Sequence, residues 1–367
     1  MGHYKDKKLM KWNYNIKMIK RKVILSQIKE DMLAESVTRS FTSKHSDQQK
    51  IYYQAHIPDN PSTKDAILII PGLAEHGRRE HYLDIAQKAN KEGIPVYIID
   101  PRGQGLTGLA ADSLGFFAEE NGWQATQDDI FQLLEIIQEK HPDAAINILA
   151  HSMGSLLTRT MLATKNKDLD HINLRNIVFS GTGGYPGLLG KVGSAIASLI
   201  KTKNYITNMS FSKARYQPSS AMNKLLFGLF NSKFSAFDGN DEKNGYEWLN
   251  PNPQHVQKYI NDPLCGYISS IQLYWDLVYN VSQLQKLETG ISALPSSIKN
   301  IVFWSGAEDP VGWHPITQNF KVGVQQVIDV YEGLKSNQKP KITSKFIEGA
   351  RHEAITTQPV LDHLLTP

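Results

Sequence analysis

Short apolar runs and helical patterns alternate along most of the chain. Five runs are almost wholly apolar, like strands that are buried on both faces of a parallel sheet. They span residues 66–70, 96–99, 146–150, 177–180 and 301–304. Three segments between these runs have helical composition, and they span residues 82–91, 125–140 and 153–163. Repeated alternation of strand and helix predicts a parallel sheet that helices cover on both faces.

Further strands are predicted at the two ends of this pattern. Residues 37–42 and 51–57 predict a β-hairpin around the polar segment 43–50. Residues 342–347 predict a last strand, which is followed by a helix through Leu361. The fold class that follows is α/β, with a mostly parallel central sheet.

The alternation stops after Gly181 and returns only at Ile301. The interval 182–295 contains 15 of the 34 aromatic residues in less than a third of the chain. We interpret this interval as a cap that is inserted into one α/β domain. That domain consists of residues 36–181 and 296–367.

Basic residues are concentrated in an N-terminal extension, residues 1–35. Its first 29 residues contain nine Lys or Arg and one Asp, although the whole chain has only 40 basic against 36 acidic residues. The rest of the chain is therefore mildly acidic and gives no indication of nucleic-acid binding. Apolar residues of the extension repeat at helical spacing, which predicts either a peripheral contact with an anionic membrane or packing on the protein itself. They are Leu9, Trp12, Ile16, Ile19 and Val23.

Composition excludes several classes of protein. The single cysteine, Cys265, excludes an intrachain disulfide framework and multi-cysteine metal sites. No uncharged apolar run reaches the length of about 18 residues that a transmembrane helix needs, and charged residues interrupt every candidate signal-peptide core. We therefore expect a cytoplasmic protein, peripheral on the inner membrane if the extension binds lipid. Export without a recognisable signal stays an alternative.

Ser152 is the candidate nucleophile. It follows the predicted strand 146–150, and the small residues Ala150 and Gly154 stand two positions before and after it. This AxSxG sequence is a variant of GxSxG, in which a sharp strand-to-helix turn presents the serine hydroxyl at the edge of the sheet. A serine that only caps the following helix is the alternative.

Two later loops supply the partners that a nucleophilic serine needs. Asp309 follows the predicted strand 301–304, and His352 follows the predicted strand 342–347. Both loops come after the carboxyl ends of parallel strands, where ligands bind in open α/β sheets. We predict that His352 is the general base and that Asp309 orients it, with Glu308 as the alternative acid.

Two backbone amides complete the predicted site. The residue after the nucleophile, Met153, is one expected donor to the oxyanion, and Leu73 in the loop after strand 66–70 is the other. Because the donors are backbone groups, the side chain at Leu73 need not be polar.

One glycine-rich sequence points to a different chemistry. Residues 103–108 match the dinucleotide pattern GxGxxG after a predicted strand. However, at least two strands and a helix come earlier in the chain, and residues 109–114 do not begin a convincing helix. We therefore expect no nicotinamide cofactor at this position.

Eight ordered segments resemble the α/β-hydrolase branch that contains monoacylglycerol lipases, bacterial lysophospholipases and serine aminopeptidase-type hydrolases. They are PGLAEHG (71–77), DPRGQG (100–105), NGWQAT (121–126), LAHSMGS (149–155), FSGTGG (179–184), NDPLCG (261–266), SGAEDPVG (305–312) and EGARHE (348–353). The resemblance implies an α/β-hydrolase fold with Ser152, Asp309 and His352 as the catalytic triad. It also implies an oxyanion hole at Leu73 and Met153, a cap that shapes the acyl pocket, and no metal or organic cofactor.

The activity expected from this resemblance is hydrolysis of a lysophospholipid or monoacylglycerol ester through an acyl-serine intermediate. An aromatic-rich cap favours a lipid, since each buried methylene contributes about 0.8 kcal/mol. A general carboxylesterase of the same fold is one alternative. An aminopeptidase is another, because acidic residues of the cap could bind a substrate amine. Those acids are Asp238, Asp241, Glu242 and Glu247. A non-catalytic lipid-binding protein is a weaker alternative, since the serine, the aspartate and the histidine are all present.

Overall fold

The computed structural model describes residues 22–61, 64–185, 215–239, 242–312, 319–334, 339–356 and 360–366. The chain divides into two units, Met1–Thr38 and Arg39–Pro367. In the first unit residues 22–34 are helical, and Val23 is exposed. The other four residues of the predicted apolar stripe, from Leu9 to Ile19, lie outside the described residues.

Eight strands form one sheet in the order β1-β2-β4-β3-β5-β6-β7-β8. They are β1 (Thr38–Thr42), β2 (Lys50–His56), β3 (Asp65–Ile70), β4 (Val96–Asp100), β5 (Ala145–His151), β6 (Leu174–Ser180), β7 (Asn300–Gly306) and β8 (Lys341–Ile347). Strand β2 runs antiparallel to β4, whereas the pairs from β4–β3 to β7–β8 are parallel. The predicted mostly parallel sheet is confirmed, and each predicted strand is present.

Strand β6 begins at Leu174, earlier than its apolar run from Ile177 predicts. Because Asn176 is polar, the apolar pattern does not predict this earlier start, yet Asn176 is completely buried. Its side-chain amide donates to the carbonyls of Leu364 and Thr366, both at 2.8 Å. The strand therefore extends through a polar position because the C-terminal segment supplies the acceptors.

Nine helices follow the first strand in the described part of the chain. They are α1 (Glu80–Lys91), α2 (Gly105–Ala110), α3 (Gly122–Lys140), α4 (Met153–Thr164), α5 (Ser220–Asn231), α6 (Pro253–Asn261), α7 (Ile271–Thr289), α8 (Phe320–Glu332) and α9 (Val360–Leu364). Helices α1, α3, α4 and α9 confirm predicted helices. Helix α2 was not predicted, because this short helix begins inside the glycine-rich sequence, at Gly105. Within the described ranges, no helix combines the length and the apolar character that crossing a membrane would need.

Side chains that alternate along β3 divide the core into two layers. Ala66, Leu68 and Ile70 pack into one apolar cluster with residues of α3, α4, α7 and α8. Ile67 and Ile69 pack into a second cluster with residues of α1 and α9. Helices therefore cover both faces of the sheet, as predicted. The carboxyl ends of the parallel strands β3, β5, β7 and β8 meet at one edge, where their loops can form a site.

A buried ion pair joins α4 to α7, a helix of the interval 182–295. The Arg159 guanidinium donates to both carboxylate oxygens of Glu288, at 2.8 and 2.7 Å. The hydroxyls of Tyr185 and Tyr331 donate to the same carboxylate, at 2.6 and 2.9 Å. Because both charges are paired and hydrogen-bonded, the pair can be buried at little net cost, and it fixes α7 against the core.

Candidate active site

The turn between β5 and α4 presents Ser152. Its backbone has φ 51° and ψ −119°, a strained conformation for a residue with a side chain. Gly154 lets the turn pack closely, since a Cβ there would lie 2.7 Å from the Pro71 carbonyl oxygen. Ala150 stands where the usual pattern has glycine, and it is fully buried in register with Ile70 of β3. The AxSxG sequence therefore forms the sharp strand-to-helix turn that it predicts.

His352 links Ser152 to Asp309. His352 Nε2 lies 2.8 Å from Ser152 Oγ, and Nδ1 lies 3.0 Å from each carboxylate oxygen of Asp309. His352 and Asp309 are only 2% and 1% exposed, whereas Ser152 is partly exposed. His352 is thus within hydrogen-bonding distance of both Ser152 and Asp309, in the arrangement of a Ser-His-Asp triad.

Of the two neighbouring acids after β7, Asp309 is the one that contacts the histidine. Its carboxylate also accepts the Val311 N–H at 2.9 Å, which fixes its orientation. The Glu308 side chain is half-exposed, and its carboxylate lies 3.8 Å from Arg351 Nε. The geometry therefore favours Asp309 over Glu308 as the acid of the site.

The charge of Asp309 sets the protonation of His352. Burial alone would lower the pKa of His352, but the carboxylate and its hydrogen bond raise that pKa above the ordinary 6.5. His151 contrasts with it, although its ring centroid lies only 4.8 Å from that of His352. Burial and the neighbouring His352 lower the pKa of His151 to about 4. At neutral pH His151 is uncharged, and His352 is the more basic of the two imidazoles.

The loop after β3 contains the first of the two backbone amides that are predicted to donate to the oxyanion. The Gly72 N–H donates to the Glu75 carboxylate, and the Ala74 N–H donates to Gln104 Oε1 at 2.9 Å. Between them, the Leu73 N–H has no acceptor among the described residues. Side chains therefore fix the loop on both sides of an unused donor.

The second unused donor is at the start of α4. Met153 is the first residue of this helix, so its N–H has no carbonyl partner within the helix. Met153, Leu73 and Ser152 all line the same cavity. Two amides beside a nucleophile, both without an acceptor among the described residues, are what a developing oxyanion requires.

The glycine-rich sequence 103–108 packs around Asp100 at the end of β4. The Asp100 carboxylate accepts the N–H groups of Gly77 and Leu106, at 2.8 and 2.9 Å. A Cβ at Gly105 would overlap this carboxylate. An acidic side chain therefore occupies the N-terminus of α2, where a dinucleotide would place its phosphates.

One group of potential metal ligands joins the loop after β3 to the loop after α6. His76, Asp262 and Cys265 bring ligand atoms within 4.8 Å of one another in the described part of the chain. His76 Nε2 is already 2.8 Å from Asp262 Oδ2, and its Nδ1 accepts the Arg78 N–H. Burial raises the pKa of the Cys265 thiol, which keeps it protonated. Both ring nitrogens of His76 are thus already engaged in hydrogen bonds.

A cavity of about 310 Å³ opens at Ser152. Much of its lining is apolar and comes from α4 and from the interval 182–295. These side chains are Leu156, Leu226, Phe227, Phe230, Trp248, Leu277, Val278 and Val281. Charged lining residues come from other elements, namely the loops after β3 and β8. Ion pairs join Glu75, Arg79 and Glu353 into one cluster, which we call the charged part of the cavity, and we call the apolar side chains listed above its apolar part.

Arg79 joins two buried carboxylates in the charged part of the cavity. Arg79 NH1 donates to Glu75 Oε2 at 2.8 Å and also to the Glu353 carboxylate. Burial would raise the pKa of both acids, but the Arg79 charge holds both values below their usual range. These three residues were not predicted from the sequence. The available signal was the position of Glu75 and Glu353 in the segments that also contain Leu73 and His352.

The acids named for an aminopeptidase do not line the cavity in the part of the chain that is described. Asp238 and Glu242 are exposed. Glu247 is buried and accepts hydrogen bonds from the Asn231 side chain at 2.6 Å and from a backbone amide. Asp241 lies outside the described residues.

Comparison with known proteins identifies relatives of this chain. Residues 61–358 match the family model described as "Serine aminopeptidase, S33". A segment of 105 residues is 30% identical to the monoacylglycerol lipase of Mycolicibacterium smegmatis. It covers 29% of this chain and 34% of that lipase, so the match spans about a third of the relative's length.

Solved structures are similar over most of the chain. A thermostable carboxyl esterase from Bacillus coagulans, in complex with glycerol, has a TM-score of 0.69 at 20% identity and covers 87% of this chain and 92% of its own. A soluble variant of the Saccharomyces cerevisiae monoglyceride lipase, in complex with a substrate analogue, has a TM-score of 0.56 at 17% identity, with coverage of 87% and 89%. At these identities the likeness establishes the fold, and it confirms the predicted α/β-hydrolase fold.

Proposed function

The chain belongs to the family described as serine aminopeptidase, S33, and from this membership and the geometry at Ser152 we propose that it is a serine hydrolase that cleaves carboxylic esters of monoacyl lipids. One observation carries the proposal. His352 Nε2 lies 2.8 Å from Ser152 Oγ, while Asp309 binds the other ring nitrogen. This arrangement activates a serine hydroxyl as a nucleophile.

The proposed reaction has two halves. His352 removes the Ser152 proton as Oγ attacks the ester carbonyl, and the amides of Leu73 and Met153 donate to the oxyanion that forms. The protonated His352 then gives its proton to the leaving alcohol as the C–O bond breaks, which leaves an acyl-Ser152. His352 next deprotonates a water molecule that attacks the acyl group. The carboxylic acid leaves, and Ser152 regains its proton.

The apolar part of the cavity supports a lipid acyl chain as the substrate group. Leu226, Phe227 and Phe230 of α5 line it, together with Val278 and Val281 of α7. Each methylene that such a wall removes from water contributes about 0.8 kcal/mol. Both helices belong to the interval 182–295, which we propose to be the cap that shapes the acyl pocket.

An aminopeptidase of the same family is the alternative. It would need a carboxylate in the cavity to bind the substrate amine. Glu75 and Glu353 are the lining carboxylates of the described residues, and Arg79 already pairs with both. The ester is favoured because an amine would have to compete with this internal cation.

A fluorophosphonate probe and a substrate panel test the proposal. The probe should label the native protein and the variant Ser46→Ala, which changes an exposed serine, but it should not label Ser152→Ala. The native protein should hydrolyse monoacylglycerols and nitrophenyl esters and leave alanine and proline anilides intact. Labelling of Ser152→Ala would refute the nucleophile, and cleavage of anilides alone would establish the aminopeptidase.

We also propose that residues 1–35 bind an anionic lipid surface, which would bring the enzyme to its substrate. The support is the nine Lys or Arg against one Asp in the first 29 residues, since each base near such a surface contributes about 1 kcal/mol. Native protein should sediment with anionic vesicles and not with neutral ones. Replacement of Lys17, Lys20, Arg21 and Lys22 by glutamine should weaken this binding. Equal sedimentation with both kinds of vesicle would contradict the proposal.

A further inference from the structure

The charged part of the cavity can contact the alcohol half of the substrate. We propose that Glu75, Arg79 and Glu353 form an anionic subsite for the leaving alcohol, so that the enzyme selects esters of neutral alcohols over esters whose alcohol carries a phosphate. The inference rests on the proposed ester hydrolysis. It decides between the two lipid classes that the sequence leaves open, in favour of monoacylglycerol-like substrates.

The position of the subsite follows from the role of His352. This residue must protonate the leaving oxygen, so the alcohol has to lie beside its Nε2. Glu353 is the next residue in the chain, and its N–H bonds to the Leu249 carbonyl at 2.8 Å, which fixes the loop in the cavity wall. Glu75 lies in the loop after β3, where its carboxylate accepts the Gly72 N–H. The charged residues therefore adjoin the two loops that handle the ester group.

The polarity of the cavity gives the orientation of the substrate. A monoacyl ester has one apolar arm and one polar arm. Side chains of α4, α5 and α7 form the apolar wall, and a polar head group buried against them would lose its hydrogen bonds to water without replacement. The acyl chain therefore occupies the apolar part, and the alcohol lies against Glu75 and Glu353.

The charge of the subsite is negative. Arg79 is the one cationic side chain among the described lining residues that is charged at all working pH values, and it faces two carboxylates. The side chains of Arg79, Glu75 and Glu353 are 9%, 4% and 1% exposed, so solvent screens their charges weakly. Hydroxyl groups can donate to the carboxylates, whereas a phosphate meets like charge and a guanidinium that is already neutralised.

Two lipids that differ only in the phosphate test the inference. Monooleoylglycerol and the lysophosphatidic acid with the same oleoyl chain are assayed in identical micelles of a neutral detergent. We expect kcat/KM of the native enzyme to be about 100-fold higher for the neutral lipid, as a like-charge contact of a few kcal/mol requires. Equal rates, or a preference for the phosphate, would overturn the inference without the use of any variant.

Variants of Glu353 assign the preference to this subsite. Glu353→Gln keeps the shape and an acceptor for Arg79 but removes one charge, so the preference should fall about tenfold, mainly through KM for the anionic lipid. Glu353→Asp keeps the charge and should retain the preference. Glu348→Gln neutralises an exposed acid that pairs with Lys321 and should change neither rate. A preference that survives Glu353→Gln in a protein with a native-like melting temperature would contradict the assignment.

Failure of this inference can be told apart from failure of the proposed function. If the fluorophosphonate labels Ser152 and both lipids are cleaved equally, the hydrolase stands and the charge selection is wrong. If neither lipid is cleaved and the probe does not react, the ester hydrolysis itself is wrong.

Discussion

Asp309 gives His352 both a hydrogen bond and a charge, and one substitution separates them. Asp309→Asn keeps a polar partner but leaves burial to lower the pKa of His352, which Asp309 otherwise raises. Activity requires the neutral imidazole, so the native rate should rise as the pH increases through a pKa above 6.5. In Asp309→Asn we expect kcat to fall about 10⁴-fold and the acid limb to move to lower pH. Profiles of kcat and of kcat/KM against pH measure the two effects.

The neighbouring acid provides the control for this experiment. Glu308→Gln removes a charge from the adjacent residue, whose half-exposed side chain lies beside Arg351. Neither the rate nor the acid limb should change in this variant. An acid limb that stays in place in Asp309→Asn would mean that Asp309 does not set the pKa of His352.

Single residues were predictable from the sequence where a strand end fixes their position. Ser152 and Asp309 follow strands with a plain apolar run, and His352 follows the predicted last strand, so their convergence at one sheet edge follows from parallel topology. The ion pair of Arg79 with Glu353 was not predictable, because it joins positions that are 274 residues apart. From the sequence alone, a charged residue in a loop is expected to be solvated. Only the packing of the two loops shows that these charges are buried.

At the scale of elements, the Arg159–Glu288 pair should control how α7 is held on α4. Glu288→Gln preserves hydrogen-bonding capacity but leaves the Arg159 charge uncompensated in a fully buried position. We expect the free energy of unfolding to fall by about 3–5 kcal/mol. Denaturant titration of the purified protein measures this change.

Two variants calibrate that loss. Tyr331→Phe removes one hydrogen bond to Glu288 and should cost about 0.5–1.5 kcal/mol. Glu80→Gln breaks the exposed pair with Lys258, in which both side chains are more than half exposed, and should cost no more than about 1 kcal/mol. If Glu288→Gln were as mild as Glu80→Gln, the buried pair would not be what fixes α7.

The elements that periodicity predicts well are those whose burial is uniform along their length. Strands β3 and β4 are apolar except for one terminal aspartate each, and their predicted ends differ from the observed ends by that one residue. Helix α2 was missed because two of its six residues are glycines and Asp100 supplies the acceptor for the N–H of its second residue, Leu106. That acceptor comes from tertiary structure, which helix propensity does not take into account.

At the scale of the whole molecule, the cavity is a joint product of the interval 182–295 and the rest of the chain. The sequence predicts an insertion there from its length and its aromatic content. Which of its side chains reach Ser152 could not be predicted, because α5 exposes Leu225 and Leu229 while it turns Leu226 and Phe230 into the cavity. All four are large and apolar, so composition does not distinguish the two faces.

Because both parts of the chain form the wall of the cavity, the preferred acyl length depends on both. One substitution in this wall can nevertheless change it. Val281 of α7 lines the apolar part, and Val281→Phe should fill space that the end of a long chain would use. Each methylene that loses its contact should lower kcat/KM about fourfold, the equivalent of about 0.8 kcal/mol, so the optimum should move to shorter nitrophenyl esters. Gln285→Phe adds the same ring to an exposed position of the same helix and should leave the profile unchanged. If Val281→Phe lowered the rates of all chain lengths equally, the acyl chain would not extend along α7.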